Sequence, residues 1–219
     1  MPREPIDVPI SRDRARTESE LVSAVGKVIS ADGFGALGVN AVARQAGTDK
    51  VMIYRYFGGL PGLMRRYAET ADFWWQPGDL LSEPFPDADR GLGAAMHELF
   101  DRHCSFIRSR PVTLEVLAWE MSERNALTEA LEEVRETRSV DLLRLLAARH
   151  GLGRQDAEAR LGPAFALLGA AANYLAVRAR RTTTFTGVDI GSETGWQEIG
   201  AAVRQMVDAF DTPRPHHGG

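Results

Sequence analysis

A chain of 219 residues that is 44% apolar and 26% charged can bury one or two genuine cores, which excludes a disordered or fibrous protein. No apolar run approaches the roughly 18 residues a spanning helix needs, and the opening "MPREPIDVPISRDR" has charges and prolines where a signal peptide has its apolar stretch. With the single cysteine, Cys104, unable to form an internal disulfide, a cytoplasmic protein without membrane contact is expected. The net charge of −4 is unevenly spread: residues 1–66 hold ten Lys and Arg against seven Asp and Glu, and residues 67–219 hold sixteen against twenty-three. The two parts are therefore expected to meet different partners.

Apolar residues recur at helical spacing almost throughout, and no stretch alternates long enough to make a convincing strand, so the fold is predicted to be all-α with about nine helices. The first helix is expected from about Arg14 to Ala31, with Leu21, Val25 and Val28 on one face, ending at Gly33. A second, Val39 to Ala46, is closed by Gly47. A third follows at once, Asp49 to Phe57, with the Asp49 carboxylate available to cap the free amides of its first turn. A fourth starts near Pro61 and carries Leu63 and Tyr67. The proline- and acid-rich "QPGDLLSEPFPDAD", residues 76–89, reads as a connection to a second domain. Beyond it Leu92, Met96, Leu99, His103 and Phe106 share one helix face. A short helix over Pro111 to Met121 and a long one from about Asn125 to His150 follow, ended by Gly151. The last two helices have the sharpest patterns, and Pro163 suggests that the first of them starts nearby or is kinked there.

The second and third helices, about eight residues each around a tight Gly47-Thr48 turn and preceded by a longer amphipathic helix, have the layout of a helix-turn-helix. In such a unit the second helix enters the major groove, its first residues at base edges and later ones at phosphates. The stretch "AGTDKVMIYRYF" has the side chains for both contacts. Lys50 and Arg55 can donate to guanine or phosphate, Val51 and Met52 can pack on thymine methyls, and Tyr54 and Tyr56 can bond phosphate oxygens. Either tyrosine alone would read equally well as a cap on a small core. The whole segment "GFGALGVNAVARQAGTDKVMIYRYFGGLPGLM" resembles the DNA-binding signature of the TetR family of transcriptional regulators, over about 55 residues from Arg12 to Tyr67. The resemblance implies a recognition helix at Asp49–Phe57, with Lys50, Val51, Met52 and Arg55 near bases and Tyr54 and Tyr56 on the backbone. Asn40, Arg44 and Thr48 complete the implied DNA contacts. Two positions depart from the family pattern: Gly38 stands where a capping threonine is usual and Leu60 where a lysine meets the backbone. Weaker binding, or compensation by Arg12, Arg14, Arg16 or Lys27, is the expectation.

Reading a palindrome requires two copies about 34 to 36 Å apart. The last two helices offer seams for that: Leu161, Phe165, Leu168, Ala172, Leu175 and Ala179 on one, Trp196, Ile199, Val203, Met206 and Phe210 on the other. They suit a four-helix bundle built from two chains, as the resemblance also implies, although packing within one chain is the other reading. Phe73, Trp74, Trp75, Phe100, His103, Phe106, Trp119, Asn173 and Tyr174 would, by the resemblance, line a cavity for a small apolar or amphipathic effector; aromatic residues on inward faces are also ordinary core. The polar connection at 180–196 has no assigned role beyond linking or lidding.

No metal or cofactor is expected: His97 and His103 point apart on a helix and no second cysteine assists them. Adjacent His103 and Cys104 cannot act as a nucleophile pair, and the glycines of "GFGALG" follow a helix rather than a strand, unlike a nucleotide loop. The expected organisation is a tail at 1–10, a DNA-binding domain at 11–68, a ligand-binding and dimerisation domain at 69–212 and a tail at 213–219. The function that follows is a dimeric, sequence-specific regulator, a repressor controlled by ligand and not an enzyme, bound to a palindromic duplex operator. An all-α enzyme or an interaction module using the central pocket is the alternative.

Overall fold

The computed structural model describes residues 9–86 and 88–211, so that most of both expected tails, with His216 and His217, lies outside the described residues. Among the described residues ten α-helices form: α1 (Pro9–Asp32), α2 (Val39–Ala46), α3 (Val51–Phe57), α4 (Leu60–Ala68), α5 (Pro77–Leu80), α6 (Leu92–Arg108), α7 (Pro111–Glu120), α8 (Ala126–Arg149), α9 (Arg154–Ala179) and α10 (Glu193–Val207). A two-residue antiparallel pair, β1 (Thr184–Phe185) with β2 (Val188–Asp189), turns inside the polar connection between α9 and α10.

Two compact units result. The first contains the described residues up to Trp74 together with Ala118–Arg135; the second contains Trp75–Leu117 and the described residues from Glu136 onward. In the first, α1 packs on α2 and α4, and α3 packs on α4. Leu21, Val25, Val42, Ile53, Leu63, Met64 and Phe73 fill its core. The tips of α7 and α8 belong to this unit: Trp119 lies against Phe34, ring centroids 5.7 Å apart, and Arg65 bonds Glu133 at 2.7 Å. Chain order gives no hint of that inclusion, because both pairs join residues far apart in sequence.

In the second unit α6 is the central element, packed against both α9 and α10, and its Leu92, Met96, Leu99 and His103 are buried as their spacing predicts, with Phe106 half-buried. The segment 76–89 differs from the expected linker. It buries Leu80, Leu81 and Phe85, and Arg102 donates to the carbonyls of Leu80 at 3.1 Å and Ser82 at 2.6 Å. One cation thus satisfies backbone carbonyls that have no regular ladder, and α5 within this segment is the helix beyond the expected nine. Of the two readings of Pro163, a helix start nearby does not hold: α9 begins at Arg154 and runs through it. The first helix likewise starts earlier, at Pro9.

Candidate nucleic-acid interface

Local sequence sets the reading head. Gly47 takes a left-handed conformation (φ 67°, ψ 30°) at the end of α2, where its amide closes onto Ala43 and Arg44 carbonyls, a conformation that side chains resist and glycine does not. Shortly after it α3 begins. The Asp49 carboxylate accepts from the Val51 amide at 2.8 Å, and bonds from Met52 to Asp49 and from Ile53 to Lys50, both 3.0 Å, form the first turn. The expected start at Asp49 is thereby a capped turn, with regular helix from Val51. Ile53 is wholly buried and anchors α3, while Val51 and Tyr54 are 56% and 57% exposed. Lys50 and Arg55 are exposed too, whereas Met52 and Tyr56 are half-buried.

Of the nine residues expected at DNA, four converge on one groove. Asn40 and Arg44 of α2, with Lys50 and Tyr54 at the start of α3, line a depression of about 580 Å³ whose other walls are Ala36, Gly38, Val39 and Ala41. Among the described residues Arg44, Lys50 and Arg55 are in no ion pair, so the groove presents two cations, an amide and a phenol with no carboxylate to neutralise them. Such a set binds a phosphate oxyanion through charge-assisted hydrogen bonds. Thr48 is half-buried in the turn between α2 and α3 and does not line the groove. The sequence reading missed the small walls Ala36, Val39 and Ala41, which open the groove; only Gly38 stood out.

Two features surround this site. Gly38 is the N-cap of α2 in extended conformation (φ −162°, ψ 161°) without a side-chain cap, and a β-carbon placed there meets no atom within 4 Å. Arg14 of α1 sets its guanidinium 5.2 Å from the Tyr56 ring centroid and donates to Glu18 at 2.6 Å.

The residues expected around an effector divide between the units. Trp74 and Trp119 lie in the first, where Trp74 stacks near Phe73 (6.2 Å) and Arg135 (5.4 Å). In the second, Trp75 Nε1 donates to His103 Nδ1 at 2.9 Å, and His103 Nε2 faces Asn173 Oδ1 at 3.0 Å. Because an indole N–H only donates, His103 Nδ1 is an acceptor, the ring is neutral and its proton sits on Nε2. Phe100 is buried and Tyr174 is 43% exposed beside Phe185. On the expected seams, Ala172, Trp196 and Val203 are buried within the second unit, and Trp196 donates to the Ile190 carbonyl at 2.9 Å. Phe165, Leu168, Leu175, Ile199 and Phe210 are half-buried. Met206, also on an expected seam, is 68% exposed, and Leu167, beside the other seam, is 73% exposed.

Comparison with known proteins agrees with this geometry. The sequence model of the "Bacterial regulatory proteins, tetR family" matches residues 21–66, the span from mid-α1 into α4. No curated protein matches the chain by sequence. Among solved structures, HlyIIR, a hemolysin II transcriptional regulator, is similar with 11% identity and a TM-score of 0.51, over 91% of this chain and 99% of that one. NalD of Pseudomonas aeruginosa, the secondary repressor of the MexAB-OprM multidrug efflux pump, is similar with 15% identity and a TM-score of 0.55, over 90% and 98%. At such identities these structures establish a common fold. The helices that build the charged groove, residues 21–66, thus carry the DNA-binding region of the tetR family of bacterial regulatory proteins, on a fold shared with HlyIIR and NalD.

Proposed function

We propose that the protein is a homodimeric repressor that reads a palindromic operator with α3 and is controlled by a small apolar or amphipathic effector held in its C-terminal part. The division into a reading head at 11–68 and a ligand-binding and dimerisation domain at 69–212 belongs to the same proposal, as does a cytoplasmic setting. The observation that carries the reading is the convergence of Asn40, Arg44, Lys50 and Tyr54 on one uncompensated groove beside the exposed face of α3. Phosphates docked there would orient Val51 and Arg55 toward base edges.

Dimerisation is supported by the exposed Leu167 and Met206 on α9 and α10, large apolar side chains that a second copy would cover. Met206 belongs to the expected seam and Leu167 lies beside it, while the seam's Trp196 and Val203 are buried in the chain's own core. For the effector, the Trp75–His103–Asn173 chain supplies a polar element among aromatic side chains, the composition typical of small-molecule sites. Control would operate by the effector favouring one arrangement of the paired heads over another.

The test is binding of wild type, Lys50→Ala and Tyr54→Ala to a duplex selected from random DNA. Loss of affinity in both variants with dimerisation intact supports the proposal; unchanged affinity refutes it.

A further inference from the structure

This inference rests on the DNA-binding reading of α3 and concerns the flank opposite the groove. At about 100° per residue, with Val51 as origin, Tyr54 and Lys50 lie about 60° and 100° to one side, Arg55 about 40° and Tyr56 about 140° to the other. The structure follows that wheel. Lys50 and Tyr54 close the groove with α2, Val51 and Arg55 are exposed in the centre, and Ile53 is buried at the back.

On the second flank the Tyr56 ring has two guanidinium groups against it, Arg14 at 5.2 Å and Arg55 at 6.0 Å from its centroid. Leu60, at the start of α4, stands where the family pattern has a lysine, and the structure discriminates among the cations that could replace it. Arg16 lies 3.6 Å from Asp13. Lys27 lines a different groove with Ser19, Ser23, Ser30 and Gln45. The Arg12 side chain is outside the described residues. Among the candidates whose side chains are described, Arg14 reaches the recognition helix. Its Nε is bound by Glu18, which leaves the four N–H groups of its two terminal nitrogens, and the side chain remains 60% exposed.

We propose that Arg14 and Tyr56 form a second phosphate clamp, which grips the strand opposite to the one held in the groove, so that α3 is pinned on both sides with Val51 and Arg55 between them. The ring face positions the guanidinium by cation–π attraction, and Glu18 fixes its direction while subtracting from its charge. Arg14 is here a backbone contact with no part in reading bases.

The test is equilibrium binding of a labelled duplex of mixed sequence, about 30 base pairs long, over about 50 to 200 mM salt, for wild type, Arg14→Ala, Glu18→Gln and Lys27→Ala. Arg14→Ala should weaken binding about tenfold and lower the log–log salt slope by about 0.9 per protomer. Glu18→Gln should tighten binding, and Lys27→Ala should match wild type. Wild-type affinity and slope in both Arg14→Ala and Glu18→Gln, in a series where Lys50→Ala does weaken binding, overturn the clamp and leave the groove reading intact. If Arg14→Ala also lowers the thermal midpoint, Glu18→Gln decides alone, an unchanged affinity counting against the clamp. Failure of wild type itself to bind any duplex removes the clamp and the DNA-binding reading together.

Discussion

Replacing Gly38 with serine tests whether the start of α2 faces DNA, because the structure makes the outcome calculable. The residue is an N-cap in extended conformation with no side-chain cap and no atom within 4 Å of an added β-carbon, so serine enters without strain and its hydroxyl can accept from a first-turn amide. Serine exceeds glycine as a cap by a few tenths of a kcal/mol, and loss of glycine's freedom in the unfolded chain adds about 0.4–1 kcal/mol. The sum, about 1 kcal/mol, should raise the thermal midpoint by about 2–4 °C for a chain of this size. Because Gly38 walls the groove with Arg44 and Lys50, the hydroxyl also gains a phosphate partner. One such bond at about 1 kcal/mol is about fivefold in affinity per protomer. Calorimetry gives the first quantity and a fluorescence titration the second. A higher midpoint with unchanged or weaker DNA binding would refute the placement of phosphate in this groove; an unchanged midpoint would refute the capping argument.

The other predictions are independent of that groove. Leu167→Glu with Met206→Glu, at 73% and 68% exposed positions, should give a folded monomer by sedimentation and abolish operator binding; a dimer that persists rejects the proposed face. Glu120, beside Arg135, has its carboxyl pushed up to about 7, chiefly by burial, with Arg135 opposing and Glu132 adding. The folded state therefore holds that proton where the unfolded chain has released it, so stability from this group is full below about pH 4.5 and falls as pH rises toward 7. The stability of wild type minus that of Glu120→Gln should drop across that window by on the order of 2 kcal/mol, and a difference that is flat with pH contradicts it. His103→Leu removes both the Trp75 and Asn173 bonds and should cost about 1–3 kcal/mol in denaturant unfolding; a midpoint equal to wild type would mean the chain of bonds contributes nothing.

Much of the N-terminal unit was legible because its determinants are local. Gly47 marks a left-handed turn, the α2 boundaries follow from periodicity and that glycine, and the exposed face of α3 is the remainder once Ile53 is buried. The inclusion of Trp119 was not legible: its partner Phe34 is remote in sequence, and an aromatic residue in a helix looks the same whether it lines a cavity or packs into the core of its own unit. The seams show a different limit. Spacing places Trp196, Val203 and Ala172 on helix faces but does not say whether the covering element is a second copy or the chain's own α6, which in fact packs on α9 and α10. The 76–89 segment misled for a physical reason as well. Its prolines and acids resemble a linker, yet Arg102 satisfies its carbonyls and lets Leu80, Leu81 and Phe85 be buried.

The most direct measurement is selection of bound sites by the wild-type protein from a pool of random duplexes, followed by sequencing. Two inverted half-sites with centres about one helical turn apart, or a whole multiple of it, are the predicted result. Recovery of no enriched motif at low salt, or of a single motif without an inverted copy, would contradict the pairing of two reading heads on one operator.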